Sequence, residues 1–158
     1  MQKIIVGIDV GLTGAIAAIG ESGEFVGCWD MPLESYGQKG KKRINAKLLH
    51  GILLGLSVYD VVACRVELVA ARPNQGVTGM FSFGDSFGCV RMASAICGYP
   101  VEYITPRNWK TAFSMLGTDK DFALIKAREV FPNAPLNLKK HIGRADALLI
   151  AHSFCLAN

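Results

Sequence analysis

Apolar residues along this chain come in two rhythms. Ile4 to Val10 is a near-continuous apolar run of strand length, as expected of a central strand covered on both faces. Gly11 to Gly14 reads as a turn, and Ala15 to Ile19 as a returning strand. Glu21-Ser22-Gly23 turns again into Phe25–Trp29, so two hairpin connections follow one another. The segment Met31 to Arg43 is polar and glycine-rich, and is expected to be a mobile loop. The rhythm then changes. Asn45 is placed to cap a helix whose Leu48, Leu49, Ile52, Leu53 and Leu56 share one face.

Val58 to Val69 reads as a second buried strand, followed by a loop from Ala70 to Thr78 with its Pro, Asn and Gly. A helix through Met80, Phe83, Phe87, Val90, Ala93 and Ile96 ends near Gly98-Tyr99-Pro100. Val101 to Ile104 is a short strand. Pro106 suits the first turn of a helix through Trp109 and Phe113. Asp119 to Phe131 predicts a further helix stopped by Pro132, and Gly143 to Leu156 the last. The order β-β-β-α-β-α-β-α-α-α describes an antiparallel meander followed by βα units. It predicts an α/β protein with a mixed sheet, helices on its faces and ligands at the carboxyl ends of its parallel strands.

Three acids break this pattern: Asp9 in IIVGIDVG, Glu67 in ACRVELVA and Asp146 in GRADALLIA. Each interrupts an apolar run, and an uncompensated carboxylate in such a place is prohibitively costly. Carboxylates gathered into one site repel one another, so a hard divalent cation such as Mg²⁺ or Mn²⁺ is the expected compensation. For Asp146 an acid in the first turn of a helix has a plainer explanation in the helix dipole. Asp9 and Glu67, on strands, do not.

Composition narrows the field further. The chain has 158 residues, 51% of them apolar and 19% charged, which suits one folded domain spanning 1–158. No apolar stretch approaches the ~20 residues of a membrane span. The opening MQKIIVGID lacks the layout of a signal peptide, and a cytoplasmic location is expected. The five cysteines are scattered, with no CxxC pair, and read as reduced core residues. A net charge of +4 is mild but uneven. One basic run is QKGKKRINAK (Gln38 to Lys47), equally readable as a solvated loop. Another, Lys139, Lys140, His141 and Arg144, immediately precedes Asp146. Positive charge beside carboxylates suits a phosphodiester substrate.

Five segments now occur in a recognisable order: GIDVGLTGAIA, the Glu67 strand, PNQGVTGMFSFGDSFG, Pro106 to Lys110 (P-x-x-WK) and HIGRADALLIA. Together they resemble the Holliday-junction resolvases of the RuvC type, particularly their phage-borne branch, within the ribonuclease H-like superfamily. The resemblance implies a five-stranded mixed sheet, an antiparallel meander plus parallel strands, with helices on both faces. It implies Asp9, Glu67 and Asp146 as catalytic metal ligands for two Mg²⁺ ions (Mn²⁺ substituting) roughly 3.5–4 Å apart. It also implies nicking of branched DNA, above all four-way junctions, to 5′-phosphate and 3′-hydroxyl ends, and a bacterial host cytoplasm if the protein is phage-encoded. Lys110 and Lys120 match positions that hold the DNA phosphate. Asn74, Gln75, Phe81 and Arg144 are further candidates for DNA contact, Phe81 as an aromatic that stacks on unpaired bases.

Phe83 and Phe87, four apart, are assigned to packing. Gly84 and Gly88 form a small-residue stripe that suits a dimer interface or helix-on-sheet packing. A homodimer is expected, because paired nicks in a two-fold junction need two related active sites. The family offers another Asp or His three or four residues before the last Asp; here those positions are Gly143 and Ile142. His141 is the nearest substitute, as ligand or proton-transfer group, or else an exposed phosphate-facing His. That gap leaves open a branched-DNA-binding homologue with impaired catalysis; an RNA–DNA hybrid nuclease, close in chemistry but disfavoured by the PNQG…FSFG and WK segments, is the other alternative.

Overall fold

The computed structural model describes residues 1–157. Its strands and helices run β1 (Lys3–Asp9), β2 (Ala15–Gly20), β3 (Phe25–Asp30), β4 (Leu33–Tyr36), β5 (Lys41–Ile44), α1 (Ala46–Gly55), β6 (Asp60–Glu67), α2 (Val77–Ile96), β7 (Val101–Ile104), α3 (Pro106–Ala112), α4 (Lys120–Val130) and α5 (Ile142–Ala157). Short 3-10 turns, Leu56–Val58 and Lys139–His141, precede β6 and α5. The main sheet has five strands in the order β3-β2-β1-β6-β7. The first three are antiparallel neighbours, whereas β1, β6 and β7 run parallel. The mixed sheet expected from the hydrophobic pattern is therefore the one observed.

β1 lies in the middle, and its alternation divides the core. Ile5, with Ala17, Ile19 and Ala63 of neighbouring strands, packs against Leu124 and Ala127 of α4 and Ala147, Leu148 and Ala151 of α5. Ile4, Val6 and Ile8 face the other way, onto Leu49 and Leu53 of α1 and Val90 and Ala93 of α2. Ile4, Ile5, Val6 and Ile8 are fully buried, which explains the unbroken apolar run. Each such side chain contributes on the order of 1.5–3 kcal/mol.

One glycine sets the depth at which α5 lies on the sheet. A Cβ on Gly7 would collide with the Ala147 carbonyl and stand 2.6 Å from the Ala151 nitrogen. With no side chain there, α5 seats directly on β1 and brings Asp146 toward the β1 terminus.

Three expectations need correction. Met31 to Arg43 is no unstructured loop: Leu33 to Tyr36 pairs with Lys41 to Ile44 as an antiparallel ribbon, rooted by buried Met31 and Ile44. The apolar anchors lie at the ends of that segment, so its polar middle disguised the pairing. In α1, Asn45 does cap, its Oδ1 accepting from the Leu48 N–H at 3.0 Å. Leu48 is nevertheless 54% exposed, and the buried face is narrower than the leucine count suggested. Finally, α5 begins at Ile142, so Asp146 falls in its second turn and the first turn holds no acid. The helix-dipole explanation for Asp146 loses its footing. Among the described residues no helix is long and apolar enough to cross a membrane.

Candidate active site

Asp9 and Glu67 are the last residues of β1 and β6, which pair in parallel up to Ile8 and Val66. Their carboxylates therefore emerge side by side at the carboxyl edge of the sheet. By strand alternation Asp9 shares the face of Ile5 and Gly7, the face covered by α5. Asp146 completes the group from that helix.

The electrostatics show that the three acids act on one another. Burial pushes the Asp9 carboxyl well above its ordinary range, with Asp146 and Glu67 adding to the rise and Lys110 opposing it. Asp146 is pushed up to about 7, by burial first and then by Glu67, against Lys110 and Lys120. Burial also raises Glu67, against the Trp109 hydrogen bond, Lys110 and Arg72. Asp146 Oδ1 is buried with no hydrogen-bond partner, an expensive condition for a carboxylate oxygen.

A cleft of about 450 Å³ opens onto this group, lined by Asp9, Thr13, Lys110, Lys120, Lys139 and Asp146 among others. Glu67 stands beside its wall, where Trp109 holds it. The fully buried Trp109 donates from Nε1 to Glu67 Oε2 at 2.8 Å. The same indole carries Lys110 Nζ 5.4 Å from its ring centre. Thr105 caps α3 by accepting from the Asn108 N–H at 3.2 Å, so a capped first turn fixes the helix that presents both residues.

Does this donor set suit a divalent cation? Three mutually repelling carboxylates, one with an orphaned buried oxygen, offer hard oxygen donors and excess negative charge. Among the described residues, no group of three or more His, Cys, Asp or Glu side chains is placed to hold a metal ion as it stands. Asp9, Glu67 and Asp146 fit such an ion in charge and donor type.

The remaining candidates divide. Lys110 and Lys120 both line the cleft, as expected. Arg144 is committed elsewhere: Nε and Nη2 donate to the two Asp30 carboxylate oxygens at 2.6 and 2.9 Å, and Nη1 to the Pro135 carbonyl at 3.1 Å. It clamps α5 to the end of β3. His141 is buried, its Nδ1 accepting from the Leu138 N–H at 3.3 Å. Its charged neighbours are Arg144, Asp30, Lys140 and Arg128; burial and then Arg144 lower its pKa. The arrangement does not bring His141 to the three acids, nor leave it exposed.

Gly143, one of the two positions where the resemblance implies a further Asp or His, has a definite job. A Cβ there would run into the Thr13 carbonyl and lie 3.2 Å from the Gly14 backbone. The start of α5 rests on the β1–β2 turn, and that contact takes the space a fourth ligand would need.

Farther along the edge, Asn74 is exposed with φ 65°, Gln75 is half-buried and Phe81 is 78% exposed. Phe83 packs at 3.1 Å against the place a Gly11 Cβ would occupy, and Phe87 lies 5.7 Å from the Tyr103 ring. Phe87 packs against the core as expected, whereas Phe83 is half-buried beside Gly11. A Cβ at Gly84 or Gly88 would meet nothing within 4 Å, so close helix-on-sheet packing does not require glycine at either. Trp109 is the residue that sequence reasoning passed over. The available signal was a strand acid in need of a donor and an indole paired with Lys110 in P-x-x-WK.

No family model matches this chain, and no curated protein matches it in sequence. Solved structures do. A structure described as T. thermophilus RuvC in complex with Holliday junction substrate superposes with a TM-score of 0.64 at 17% identity, covering 98% of this chain and 93% of that one. A second T. thermophilus RuvC structure gives a TM-score of 0.57 at 22% identity, covering 97% and 93%. The chain has the RuvC fold. The likeness extends over nearly the whole of both chains, so β1, β6 and α5, which carry the three acids, lie within the shared RuvC architecture.

Proposed function

We propose that this protein is a divalent-metal-dependent endonuclease that nicks branched DNA, four-way junctions foremost, leaving 5′-phosphate and 3′-hydroxyl ends. The observation that carries this reading is the meeting of Asp9, Glu67 and Asp146 at one sheet edge beside the lysine-lined cleft. Asp9, Glu67 and Asp146 would hold Mg²⁺ or Mn²⁺, in a two-ion site. When bound, the metal supplies Lewis acidity toward a phosphate oxygen and a hydroxide nucleophile near neutral pH. Trp109 keeps Glu67 oriented through its N–H. Lys110 and Lys120 place positive charge on the cleft wall, where a phosphodiester's charge is taken up. Phe81, exposed near the start of α2, offers a ring for an unpaired base near the branch point.

A homodimer fits this task. Beyond Phe81, the exposed side of α2 carries Met92 and Ile96, with open space over Gly84 and Gly88. A second copy would cover that side and set two clefts about one axis. The likeness to a fold solved with junction DNA supports the substrate class.

The obstruction at Gly143 favours one competing reading, a junction-binding protein with impaired catalysis. Cleavage of a synthetic immobile junction, with duplex, flap and RNA–DNA hybrid controls, separates the two. Mg²⁺-stimulated junction nicking that is lost in Asp9→Asn, Glu67→Gln and Asp146→Asn, with binding retained, supports the nuclease. Tight binding without any nick supports the competitor, and preferred hybrid cleavage would redirect the substrate assignment.

A further inference from the structure

The β4–β5 ribbon has no part in the cleft, yet it is a built element. Its strands pair in register from Leu33 with Ile44 to Tyr36 with Lys41, and Gly37 and Gly40, with φ of 68° and 61°, close its turn. Positive charge dominates it. Glu34 is the one acid between Met31 and Lys47, and Arg43 Nε neutralises it at 2.7 Å while its guanidinium lies over the Tyr36 ring. Among the described residues, Lys39, Lys41, Lys42 and Lys47 have no carboxylate partner; Lys42 Nζ donates only to Ser35 Oγ at 2.7 Å. All four are exposed. Side chains alternate along a strand, so Lys42 stands on one face, Lys41 and Arg43 on the other, and Lys39 at the tip.

Position gives this charge a meaning. Asp9 pairs with Ala15, and Ala15 with Asp30, the residue from which the chain leaves for the ribbon. The ribbon therefore departs from the catalytic end of the sheet, two strands or roughly 10 Å sideways from Asp9. Four residues per strand give it a length of roughly 13 Å, and its root, Met31 and Ile44, packs with α1 and α2 on the sheet face opposite α5. A duplex arm that leaves the cleft past the end of β3 toward that face would meet its lysines.

We propose that the β4–β5 ribbon is a backbone-binding arm that grips one duplex arm of the branched substrate beyond the cleft. The inference rests on the nuclease reading and extends it to a second, sequence-independent contact. A polyanion is favoured over a second copy of this chain, because that copy would bring a net charge of +4 to a surface already rich in lysine.

The test compares wild type with Lys39→Ala/Lys41→Ala/Lys42→Ala and with the matching triple arginine variant. Binding to a four-way junction and to a plain duplex is followed by fluorescence anisotropy across a salt series. Each phosphate that the variant no longer neutralises should lower the slope of log K against log salt by about 0.9. The alanine variant should thus bind both DNAs more than tenfold more weakly at low salt, with a slope shallower by about 1 to 3. The arginine variant should match wild type. Single-turnover nicking at saturating protein should be unchanged in both, since the cleft is untouched. An alanine variant with wild-type affinity and slope overturns the proposal while leaving the nuclease reading intact. So does a variant whose oligomeric state changes with the slope unaltered, because the ribbon would then be a subunit contact. A wild-type protein that binds neither DNA overturns both.

Discussion

Replacing Trp109 by phenylalanine should separate positioning from packing at the active site. Phenylalanine keeps an aromatic ring in the fully buried slot but removes the N–H that reaches Glu67 Oε2 at 2.8 Å. A hydrogen bond to a charged group contributes roughly 1.5–3 kcal/mol. If that stabilisation is needed in the transition state, its loss slows nicking roughly 10- to 150-fold. The hydrogen bond also holds the Glu67 carboxyl down against burial, so without it Glu67 ionises at higher pH. The acidic limb of the rate profile should shift upward, and raising the pH should recover part of the lost rate. The assay is single-turnover junction cleavage against pH at saturating Mg²⁺, with thermal unfolding measured alongside. Some stability is lost with the smaller ring, less than the ~3–5 kcal/mol of truncation to alanine. An unchanged rate and pH profile refutes the positioning role; a rate loss that is uniform in pH and follows the loss of folded protein refutes it equally.

Three further outcomes follow from the same geometry. Gly143→Asp, which places an acid at one of the two positions where the resemblance implies a further Asp or His, should destabilise the fold by roughly 1–3 kcal/mol through collision with the Thr13 carbonyl; equal denaturant midpoints for variant and wild type would show that α5 can yield. Asp146 has its folded pKa raised to about 7 from 3.8, so its stabilising effect is complete at acid pH and is lost as pH rises through about 7. In chelator, unfolding free energies between pH 4 and 7 should therefore decline in wild type more than in Asp146→Asn, and parallel curves would contradict this. His152 lies against the Phe113 and Phe131 rings with Nδ1 unpartnered, and burial lowers its pKa. The folded state resists its protonation, so stability drops as pH falls through the ordinary histidine value of about 6.5; His152→Phe should lessen the drop, and an unaltered drop rules the contribution out.

The readability of this chain followed where its physics is local. β1 was legible because a strand covered on both faces must be apolar at every position, and Asp9 stood out as the exception. The cap at Asn45, Pro106 in a first turn and the stop at Pro132 marked helix ends because each acts within a turn of its own position. The β4–β5 ribbon was illegible because its apolar anchors, Met31 and Ile44, are thirteen positions apart and its strands carry lysines in place of a buried face. Asp9, Glu67 and Asp146 were found by the strangeness of acids in apolar runs. Their partners were not. Arg144 binds Asp30, 114 residues away, and Trp109 reaches Glu67 across 42; such pairings exist only once the sheet is formed. Gly143 looked like an absence and proved to be a contact.

The central claim is that Asp9, Glu67 and Asp146 together hold a divalent cation. Mn²⁺ binding, followed by calorimetry and by the shift in thermal midpoint, tests it without reference to cleavage. Wild type should bind Mn²⁺ and gain stability with its concentration, about 2.7 kcal/mol at one hundred times the dissociation constant. Asp9→Asn, Glu67→Gln and Asp146→Asn should each lose most of that gain. Retention of the full wild-type gain by all three variants, or no gain in wild type, would contradict the account.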